Sequence, residues 1–504
     1  MAPSDPRVLT AGSRWLIGGF FGLGVFLRIY GFWSPELWTD EYGTWWVVAG
    51  GWGDVARRVL RYGGQSPLYY LIVKLWTDAL GPGPVSLRLP SILCGIGTLG
   101  VAYPLGMRVF NDRHAALLTL AAFAVHEKLI WYSQEARPYS LALLCTMLSF
   151  LFYLRLLDSG KLADRIGYVV VAALLYYTHY LFGVVVLVQI LYLCLRQGLA
   201  WVRDQGWRAA YLVLGLISLP GAAQLWTIGE RRESMSWFSQ GPAAPFNLAV
   251  EMLDPPVFSA VGLAVLAVGL GESDRGGADR HGRRDLVLLW LLAPIAFFGV
   301  ASVVLGVALL YSRYLLSIAP AGVLVVAWLM ASARRTRWRK WAPLSACLAV
   351  TTIWHLVPAL ATFGAFSARP DERWRSVAHE VERSARDDDL ILVQSGFFEG
   401  NLLARGQADA LLVSGLHWPF TANLSSTDRY EIVGLPHSVN SQTKDYVPSV
   451  VMPKARQRER VWVVGSEDIV AHVTEALLAE GRFRLLRRSS HGSTWVILVA
   501  QRGG

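Results

Sequence analysis

Residues 14–41 read RWLIGGFFGLGVFLRIYGFWSPELWTDE, an apolar run of about 20 residues followed within a few positions by two carboxylates. A run of this length matches the hydrocarbon core of a bilayer, which needs about 20 apolar residues. No small-residue cleavage site follows the run, which favours a retained membrane span over a cleaved signal peptide. Asp40 and Glu41 come about seven residues after it, at a membrane boundary where charge is costly and often functional.

The composition of the whole chain also indicates an integral membrane protein. Of its 504 residues, 54% are hydrophobic and 17% charged, whereas soluble domains are about 25% charged. The formal net charge of +10 comes from basic residues in short loops between apolar runs, where they indicate topology rather than nucleic-acid binding. The cysteines Cys94, Cys145, Cys194 and Cys347 lie inside apolar runs, which excludes a disulfide design and a cysteine metal site.

The apolar runs predict a polytopic α-helical protein with about eleven transmembrane helices. Because the basic loops then fall on one side, the positive-inside rule makes that side cytoplasmic. The N-terminus is therefore expected in the cytoplasm and the C-terminal region outside it. The predicted spans are 14–33, 88–108, 115–132, 138–156, 166–180, 182–196, 209–226, 257–272, 286–307, 314–331 and 342–363.

The long first outer loop, about 34–87, includes an apolar segment, Pro67–Trp76, that is too short to span a bilayer. We interpret this segment as a helix lying in the membrane interface, with Lys74 extending towards phosphates. A second helix is expected near Trp52–Arg61. Because long loops on a membrane scaffold are usually functional, this loop is the predicted catalytic segment of a membrane domain covering residues 1–365.

From about Ala365 the composition changes and predicts a small α/β domain over residues 366–504, outside the membrane, in the periplasmic or extracellular space. Its expected elements are a polar helix at Asp371–Arg386, strands at Leu390–Val393 and Arg460–Gly465, a helix capped by Ser466, and a closing strand pair at Phe483–Leu486 and Trp495–Val499.

The charged residues near the outer face suggest acid–base chemistry beside a phosphate. Asp40 and Glu41 lie among tryptophans, where one-sided desolvation would raise carboxylate basicity, although solvated loop carboxylates are the simpler alternative. Arg137, Arg313 and Lys74 would suit a diphosphate or phosphodiester headgroup, although interfacial snorkelling explains a lone cation equally well. Their convergence is a hypothesis that sequence separation cannot test.

An ordered set of motifs resembles the family 39-like glycosyltransferases of the GT-C class, over about residues 14–365. Ser66 stands where that family commonly has a first proline, a departure that affects loop rigidity more than chemistry. The motifs are Trp38-Thr39-Asp40-Glu41, Ser66-Pro67-Leu68-Tyr69-Tyr70, Leu87-Arg88-Leu89-Pro90-Ser91, Ser133-Gln134-Glu135-Ala136-Arg137-Pro138-Tyr139, Thr178-His179-Tyr180 and Ser312-Arg313-Tyr314-Leu315.

The resemblance implies an inverting enzyme that moves a sugar from a polyprenyl-phosphate donor to an acceptor hydroxyl at the outer face of the cytoplasmic membrane. It implies Asp40 as general base with Glu41 supporting it. The donor phosphate would be bound by Arg137, Arg313, Lys74 and His179, and substrate would be contacted by Tyr69, Glu135, Tyr139 and Tyr314. No protein metal ligands are predicted, and a requirement for a divalent cation stays open because related members divide on it.

A lipid-linked sugar flippase or transporter is the alternative function. Such a protein would place ionisable groups near the bilayer midplane on broken helices, often in two repeated halves. In this sequence the charges gather at the outer boundary and no repeat is visible. The acceptor, whether lipid, glycan or protein, and the identity of the sugar are left open.

Overall fold

The structure is a computed structural model that describes residues 11–33, 36–63, 66–230, 278–305, 309–310, 312–333, 371–441 and 443–502. Contacts divide the chain into two compact units. The first unit takes in the described residues within Met1–Trp33, Val55–Gly81 and Val85–Ser367. The second takes in those within Ser34–Asp54, Pro82–Pro84 and Ala368–Gly504.

The described residues up to Ala333 are predominantly helical. The helices are α1 (Ala11–Ile29), α2 (Thr39–Val48), α3 (Trp52–Arg58), α4 (Leu68–Leu80), α5 (Pro84–Phe110), α6 (Arg113–Val125), α7 (Glu127–Ser133), α8 (Tyr139–Ser159), α9 (Leu162–Thr178), α10 (Val184–Gln197), α11 (Gln205–Glu230), α12 (Ala278–Leu305), α13 (Ser312–Leu315) and α14 (Ala319–Ala333).

Local chemistry explains where several of these helices begin and end. The side chain of Asp112 accepts hydrogen bonds from the first amides of α6, those of His114 at 2.8 Å and Ala115 at 3.2 Å. Gly160 ends α8 in a left-handed conformation, φ +60°. The helices then share an apolar core in which the rings of Phe150 and Trp290 stack at 3.6 Å.

Four described helical segments are long and apolar enough to cross a membrane, or five if one bent pair counts as a single span. The four are Pro84–Phe110, Tyr139–Ser159, Tyr180–Gln197 and Arg283–Leu305. The predicted number of eleven spans stays a prediction. Two of its members, 257–272 and 342–363, lie outside the described residues.

The predicted third span, 115–132, is not one continuous helix. Helices α6 and α7 meet at His126 with a bend of 57°. The backbone of His126 is extended, with φ −66° and ψ 117°, so the helical hydrogen-bond ladder is interrupted there. The bend lies at the polar triplet His126-Glu127-Lys128, which interrupts the apolar run, although the two helices together are still apolar enough for a span.

Both short helices predicted in the first outer loop are present, as α3 and α4. Helix α3 continues into one π-helical turn, Val59–Gly63. Helix α4 is 13 residues long, shorter than the roughly 20 residues that span a bilayer. Its position in the membrane interface stays a prediction.

The second unit is built on a five-stranded sheet in the order β2-β1-β3-β5-β4. Strands β2, β1 and β3 are parallel, with Leu390 paired to Glu431 and to Val461, and β5 and β4 close the sheet antiparallel. The strands are β1 (Leu390–Val393), β2 (Glu431–Gly434), β3 (Arg460–Gly465), β4 (Phe483–His491) and β5 (Thr494–Gln501), and the helices are α15 (Trp374–Ser384), α16 (Asn401–Ala404), α17 (Ala410–Thr421), α18 (Met452–Ala455) and α19 (Glu467–Ala479).

The predicted elements of this α/β region are confirmed in β1, β3, α19 and the closing strand pair, whereas β2 and α17 were not predicted. Helix α15 begins at Trp374 rather than at the predicted Asp371, because Glu372 forms an isolated bridge with Gly492. Ser466 precedes α19, but its hydroxyl makes no capping hydrogen bond. The contacts assign the segment Ser34–Asp54, which is part of the predicted catalytic loop, to this second unit.

Candidate active site

Asp40 and Glu41 lie in the first turn of α2, in the second unit, rather than in an irregular loop. Trp38 precedes the helix in an extended conformation, with φ −97° and ψ 169°. Asp40 is half-buried and Glu41 is buried. Negative charge is stabilised in the first turn of a helix, where unpaired backbone amides point outward.

The start of α2 is held by one carboxylate from the C-terminal part of the second unit. Glu372 Oε2 accepts hydrogen bonds from the Thr39 amide at 2.7 Å, from Thr39 Oγ1 at 2.6 Å and from Trp374 Nε1 at 2.9 Å. The Thr39 hydroxyl also lies 2.9 Å from the carbonyl of Ser395. These contacts fix the residue directly before Asp40.

The remainder of α2 packs on α17. Trp46 Nε1 donates to Ser414 Oγ at 3.2 Å. A Cβ atom added at Gly415 would lie 3.0 Å from the Trp46 ring, so the two helices approach closely there. Asn423, just beyond α17, donates from Nδ2 to the Tyr42 hydroxyl at 2.8 Å. The helix that carries the two acidic candidates is therefore part of the core of the second unit.

In the first unit, the loop between α7 and α8 is held by two polar side chains. Gln134 Nε2 donates to the carbonyls of Leu27, Arg28 and Tyr30, at 3.1, 3.2 and 3.0 Å, and so closes the end of α1. Ser91 Oγ donates to the Arg137 carbonyl at 3.2 Å. These bonds fix the backbone on either side of Arg137.

Five candidates of the first unit form a continuous row, Arg137–Tyr139–His179–Tyr314–Arg313, which we call the cation–aromatic row. The guanidinium carbon of Arg137 lies 5.9 Å from the centre of the Tyr139 ring, and that of Arg313 lies 5.5 Å from the Tyr314 ring. The His179 ring lies 5.6 Å from Tyr139 and 6.0 Å from Tyr314.

Each member of the cation–aromatic row lies at the end or start of a helix. Arg137 and Tyr139 flank the start of α8, His179 ends α9, and Arg313 and Tyr314 lie in α13. Arg137 and His179 are buried. The row brings two guanidinium groups together with three rings, an arrangement that suits an anionic group.

The remaining candidates make identifiable contacts within the first unit. Tyr69 is buried, and its hydroxyl lies 2.8 Å from Ser91 Oγ. Glu135 is buried, and its carbonyl accepts a hydrogen bond from the Arg137 amide at 2.8 Å. Lys74 pairs with Asp78 one turn further along α4, so its charge already has a partner.

Three residues with clear positioning contacts were not identified as candidates from the sequence. Buried Arg28 donates to the carbonyls of Gly24, Phe123 and Ala124, which ties α1 to the end of α6. Ser91 binds the carbonyl of Arg137, and Glu372 binds Thr39, directly before Asp40. An arginine within an apolar run was the available signal for Arg28, and Ser91 belongs to one of the quoted motifs, whereas the single residue Glu372 gave no signal.

Among the described residues, no group of three or more histidine, cysteine, aspartate or glutamate side chains is arranged to hold a metal ion.

Comparison with known proteins finds one matching family model and several solved structures of similar fold. Residues 64–226 match the model of the dolichyl-phosphate-mannose-protein mannosyltransferase family. No curated protein matches the chain in sequence. The crystal structure of ArnT from Cupriavidus metallidurans bound to undecaprenyl phosphate is 15% identical, with a TM-score of 0.54, covering 97% of this chain and 98% of that one.

A second similar structure is the archaeal oligosaccharyltransferase AglB from Archaeoglobus fulgidus, in complex with an inhibitory peptide and a dolichol-phosphate. It is 10% identical, with a TM-score of 0.55, and the match covers 98% of this chain and 74% of that one. At identities this low, the two structural matches show a shared fold alone. Together with the family match, they confirm the predicted resemblance to GT-C membrane glycosyltransferases.

Proposed function

We propose that this protein transfers a sugar from a polyprenyl-phosphate donor to an acceptor hydroxyl. The observation that carries the proposal is the cation–aromatic row, in which three rings lie between two guanidinium groups, one at each end. Such an arrangement suits a phosphate attached to an apolar chain. The binding of undecaprenyl phosphate by ArnT and of dolichol-phosphate by AglB, which share the fold, supports this donor class.

In the proposed reaction the acceptor oxygen attacks the anomeric carbon of the donor sugar. The bond between that carbon and the phosphate oxygen breaks with inversion, and the polyprenyl phosphate leaves with the electron pair. Asp40 takes the proton from the acceptor hydroxyl as general base, and Glu41 supports it. A phosphate leaving group needs neutralisation of charge more than protonation, so Arg137 and Arg313 stabilise the developing negative charge.

The other candidates take secondary roles in this proposal. Lys74 and His179 assist phosphate binding, and Tyr69, Glu135, Tyr139 and Tyr314 contact the substrates. The reaction takes place at the outer face of the cytoplasmic membrane, with the N-terminus in the cytoplasm and the C-terminal α/β region in the periplasmic or extracellular space. The basic loops of the sequence support this orientation through the positive-inside rule.

The test uses purified full-length protein with a radiolabelled polyprenyl-phosphate sugar pool and an extract of envelope glycolipids. We expect wild-type protein to transfer the sugar, or to hydrolyse the donor slowly without acceptor. Asp40→Asn should lower the transfer rate about 10²–10⁴-fold, the usual contribution of a general base. Asp54→Asn, a change to a half-buried carboxylate in the next helix that keeps an acceptor oxygen for the Gly51 amide, serves as the control and should be as active as wild type.

Two outcomes would contradict the proposal. Full transfer activity in Asp40→Asn would remove this carboxylate from the mechanism. Movement of intact lipid-linked sugar across sealed vesicles, with neither transfer nor hydrolysis, would establish the flippase alternative.

A further inference from the structure

A cavity of about 680 Å³ opens in the second unit, beyond the carboxyl ends of the parallel strands. Its wall includes the segments that follow β1, β2 and β3, namely Gln394–Gly396, His437–Val439 and Gly465–Ser466. The volume falls within the range of about 300–1,000 Å³ typical of small-molecule sites. None of the roles assigned above uses this cavity.

The position of the cavity follows from the topology of the sheet. The chain leaves β1 towards β2 on one side and leaves β3 towards β4 and β5 on the other side. Connections that diverge from adjacent parallel strands open a crevice at their carboxyl ends, which is where open α/β sheets bind ligands. The cavity lies at that switch point.

One buried side chain, Gln394, joins the three strand ends that form the floor. Its Nε2 donates to the His437 carbonyl at 3.2 Å, and its Oε1 accepts from the Ser466 amide at 3.0 Å. Its own amide donates to the Val464 carbonyl at 2.8 Å. Because the side-chain amide of Gln394 bonds to the segments after β2 and β3, the floor of the cavity is held by defined hydrogen bonds.

The chemistry of the wall selects against anions. Among the described residues that line the cavity, none is lysine or arginine, whereas Glu372 and Asp468 supply carboxylates and several serine and threonine residues supply hydroxyls. Burial lowers the pKa of His437, although a backbone hydrogen bond with Gly396 acts in the opposite direction. Its imidazole is therefore neutral near pH 7. Neutral donors and acceptors with carboxylates favour ligand hydroxyl groups over phosphate.

The cavity also adjoins the acidic helix. Thr39 is part of its wall, and Thr39 directly precedes Asp40 in α2. Glu372, which holds Thr39 through Oε2, lines the same cavity. A ligand bound here would lie beside the start of the helix that carries the proposed general base.

We propose that this cavity binds an uncharged sugar unit of the acceptor, holding the acceptor next to α2 through hydrogen bonds from its wall. The identification of this ligand as part of the acceptor rests on the proposed function. The binding of a neutral, polyhydroxylated ligand follows from the cavity alone.

The test measures binding of unlipidated methyl glycosides of mannose, glucose and arabinose to the full-length protein in detergent, by saturation-transfer NMR, with inorganic phosphate as the contrasting anion. We expect at least one glycoside to bind and phosphate not to compete. Ser466→Phe should fill the cavity and raise the dissociation constant at least tenfold. Ser449→Phe, the same change at an exposed serine outside the cavity wall, should bind as wild type.

Asp468→Asn supplies a second variant that keeps the shape of the side chain while removing its charge. Loss of a hydrogen bond to a charged group is expected to weaken binding roughly tenfold. Its matched control is Glu475→Gln, an exposed change on the same helix, α19, outside the cavity wall. Melting temperatures of all four variants, compared with wild type, distinguish lost binding from lost folding.

The inference would be overturned if no glycoside bound at 50 mM, if phosphate bound in their place, or if folded Ser466→Phe and Asp468→Asn bound as wild type. Donor hydrolysis by the wild-type protein, measured without glycoside, tests the proposed function separately. Glycoside binding without any use of the donor would preserve the cavity assignment and refute the transferase.

Discussion

Arg137 and Asp40 are held in place by different means. Arg137 lies in a loop of the helical unit whose backbone is fixed by Ser91 and Gln134, residues of neighbouring helices and of the same loop. Asp40 lies in a helix fixed by Glu372, which is 333 positions from Thr39 in the sequence. The cationic candidates thus depend on helix packing, whereas the acidic candidates depend on the α/β part of the chain.

This difference explains why the acidic pair is a weak signal in the sequence. Two carboxylates after a membrane span are as typical of a solvated loop as of a general base. The carboxylate that binds Thr39, directly before Asp40, belongs to a distant region with no recognisable motif. Substitutions in the two regions should therefore change different properties, namely charge stabilisation in one and the order of α2 in the other.

The largest expected effect comes from the ends of the cation–aromatic row. Arg137→Gln and Arg313→Gln should each lower kcat for sugar transfer about 10²–10³-fold, as for loss of a group that stabilises transition-state charge. The lysine variants should recover only part of this loss, because an ammonium group lacks the planar fork of a guanidinium. Steady-state kinetics with a polyprenyl-phosphate sugar measure the effect.

The control for these variants is Arg208→Gln, an exposed change in α11 of the same unit. It should leave kcat unchanged. An undiminished kcat in both Arg137→Gln and Arg313→Gln would refute the assigned role of the row.

The next largest effect is expected in the stability of the start of α2, which Glu372 binds. Glu372→Ala removes the acceptor of three hydrogen bonds, and bonds to a charged group contribute about 1.5–3 kcal/mol each. Amide hydrogen exchange in residues 39–48 should therefore become at least roughly 10–100-fold faster, which corresponds to the loss of one such bond, since about 1.4 kcal/mol is a factor of ten. Glu372→Gln retains an acceptor oxygen and should show a smaller change. Exchange unaffected by Glu372→Ala would show that α2 is held by its other contacts alone.

A pair of glycines in α5 tests the packing of the loop that leads to Arg137. A Cβ atom at Gly95 would lie 2.3 Å from Ser133 Cβ, whereas one at Gly100 meets nothing within 4 Å. Gly95→Ala should destabilise the protein by about 1–3 kcal/mol through overpacking. Gly100→Ala should be neutral or stabilising by up to about 1 kcal/mol, because alanine favours helix over glycine. Equal melting temperatures for the two variants would contradict the close approach.

The smallest effect is a pH dependence confined to the α/β part of the chain. Burial disfavours the charge of Glu380, but hydrogen bonds from Ser489 and His491 and the charge of Arg487 outweigh it and lower its pKa. A lowered carboxylate pKa stabilises the fold above the ordinary value of 4.5, and this stability is lost as the pH falls below it.

We therefore expect Glu380→Gln to lower the melting temperature at pH 7, and we expect the difference in melting temperature between wild type and variant to shrink as the pH falls below 4.5. The change should be small because these contacts lie at the edge of the sheet. A gap between wild type and variant that widens on acidification would contradict the direction of the pKa shift.

Much of the local structure follows from sequence pattern. The apolar run Leu390–Val393 predicted a buried strand and Arg460–Gly465 predicted another strand, and both form. The structure shows that the two strands are parallel neighbours. The strand Glu431–Gly434 was missed because only two of its four residues, Ile432 and Val433, are large and apolar, whereas all four residues of the equally short Leu390–Val393 are.

The site was predictable only where motifs mark it. Arg137, His179 and Arg313 could be singled out because each follows or precedes an apolar run and belongs to an ordered set of motifs. The contact between Thr39 and Glu372 could not, because a lone glutamate before a polar helix resembles any solvated residue. The bend at His126 was missed although Glu127 and Lys128 follow it directly, because the average hydropathy of the whole segment stays high enough for a span.

The dependence of Thr39 on Glu372 also sets an order of events during biosynthesis. The helix with the acidic pair leaves the ribosome early, but its hydrogen-bonding partner is made 333 residues later. At translation rates of about 5–20 residues per second, the delay is roughly 17–67 s. Until then these bonds cannot form, so a nascent chain stalled or cleaved before Glu372 would display the motif without its ordered start.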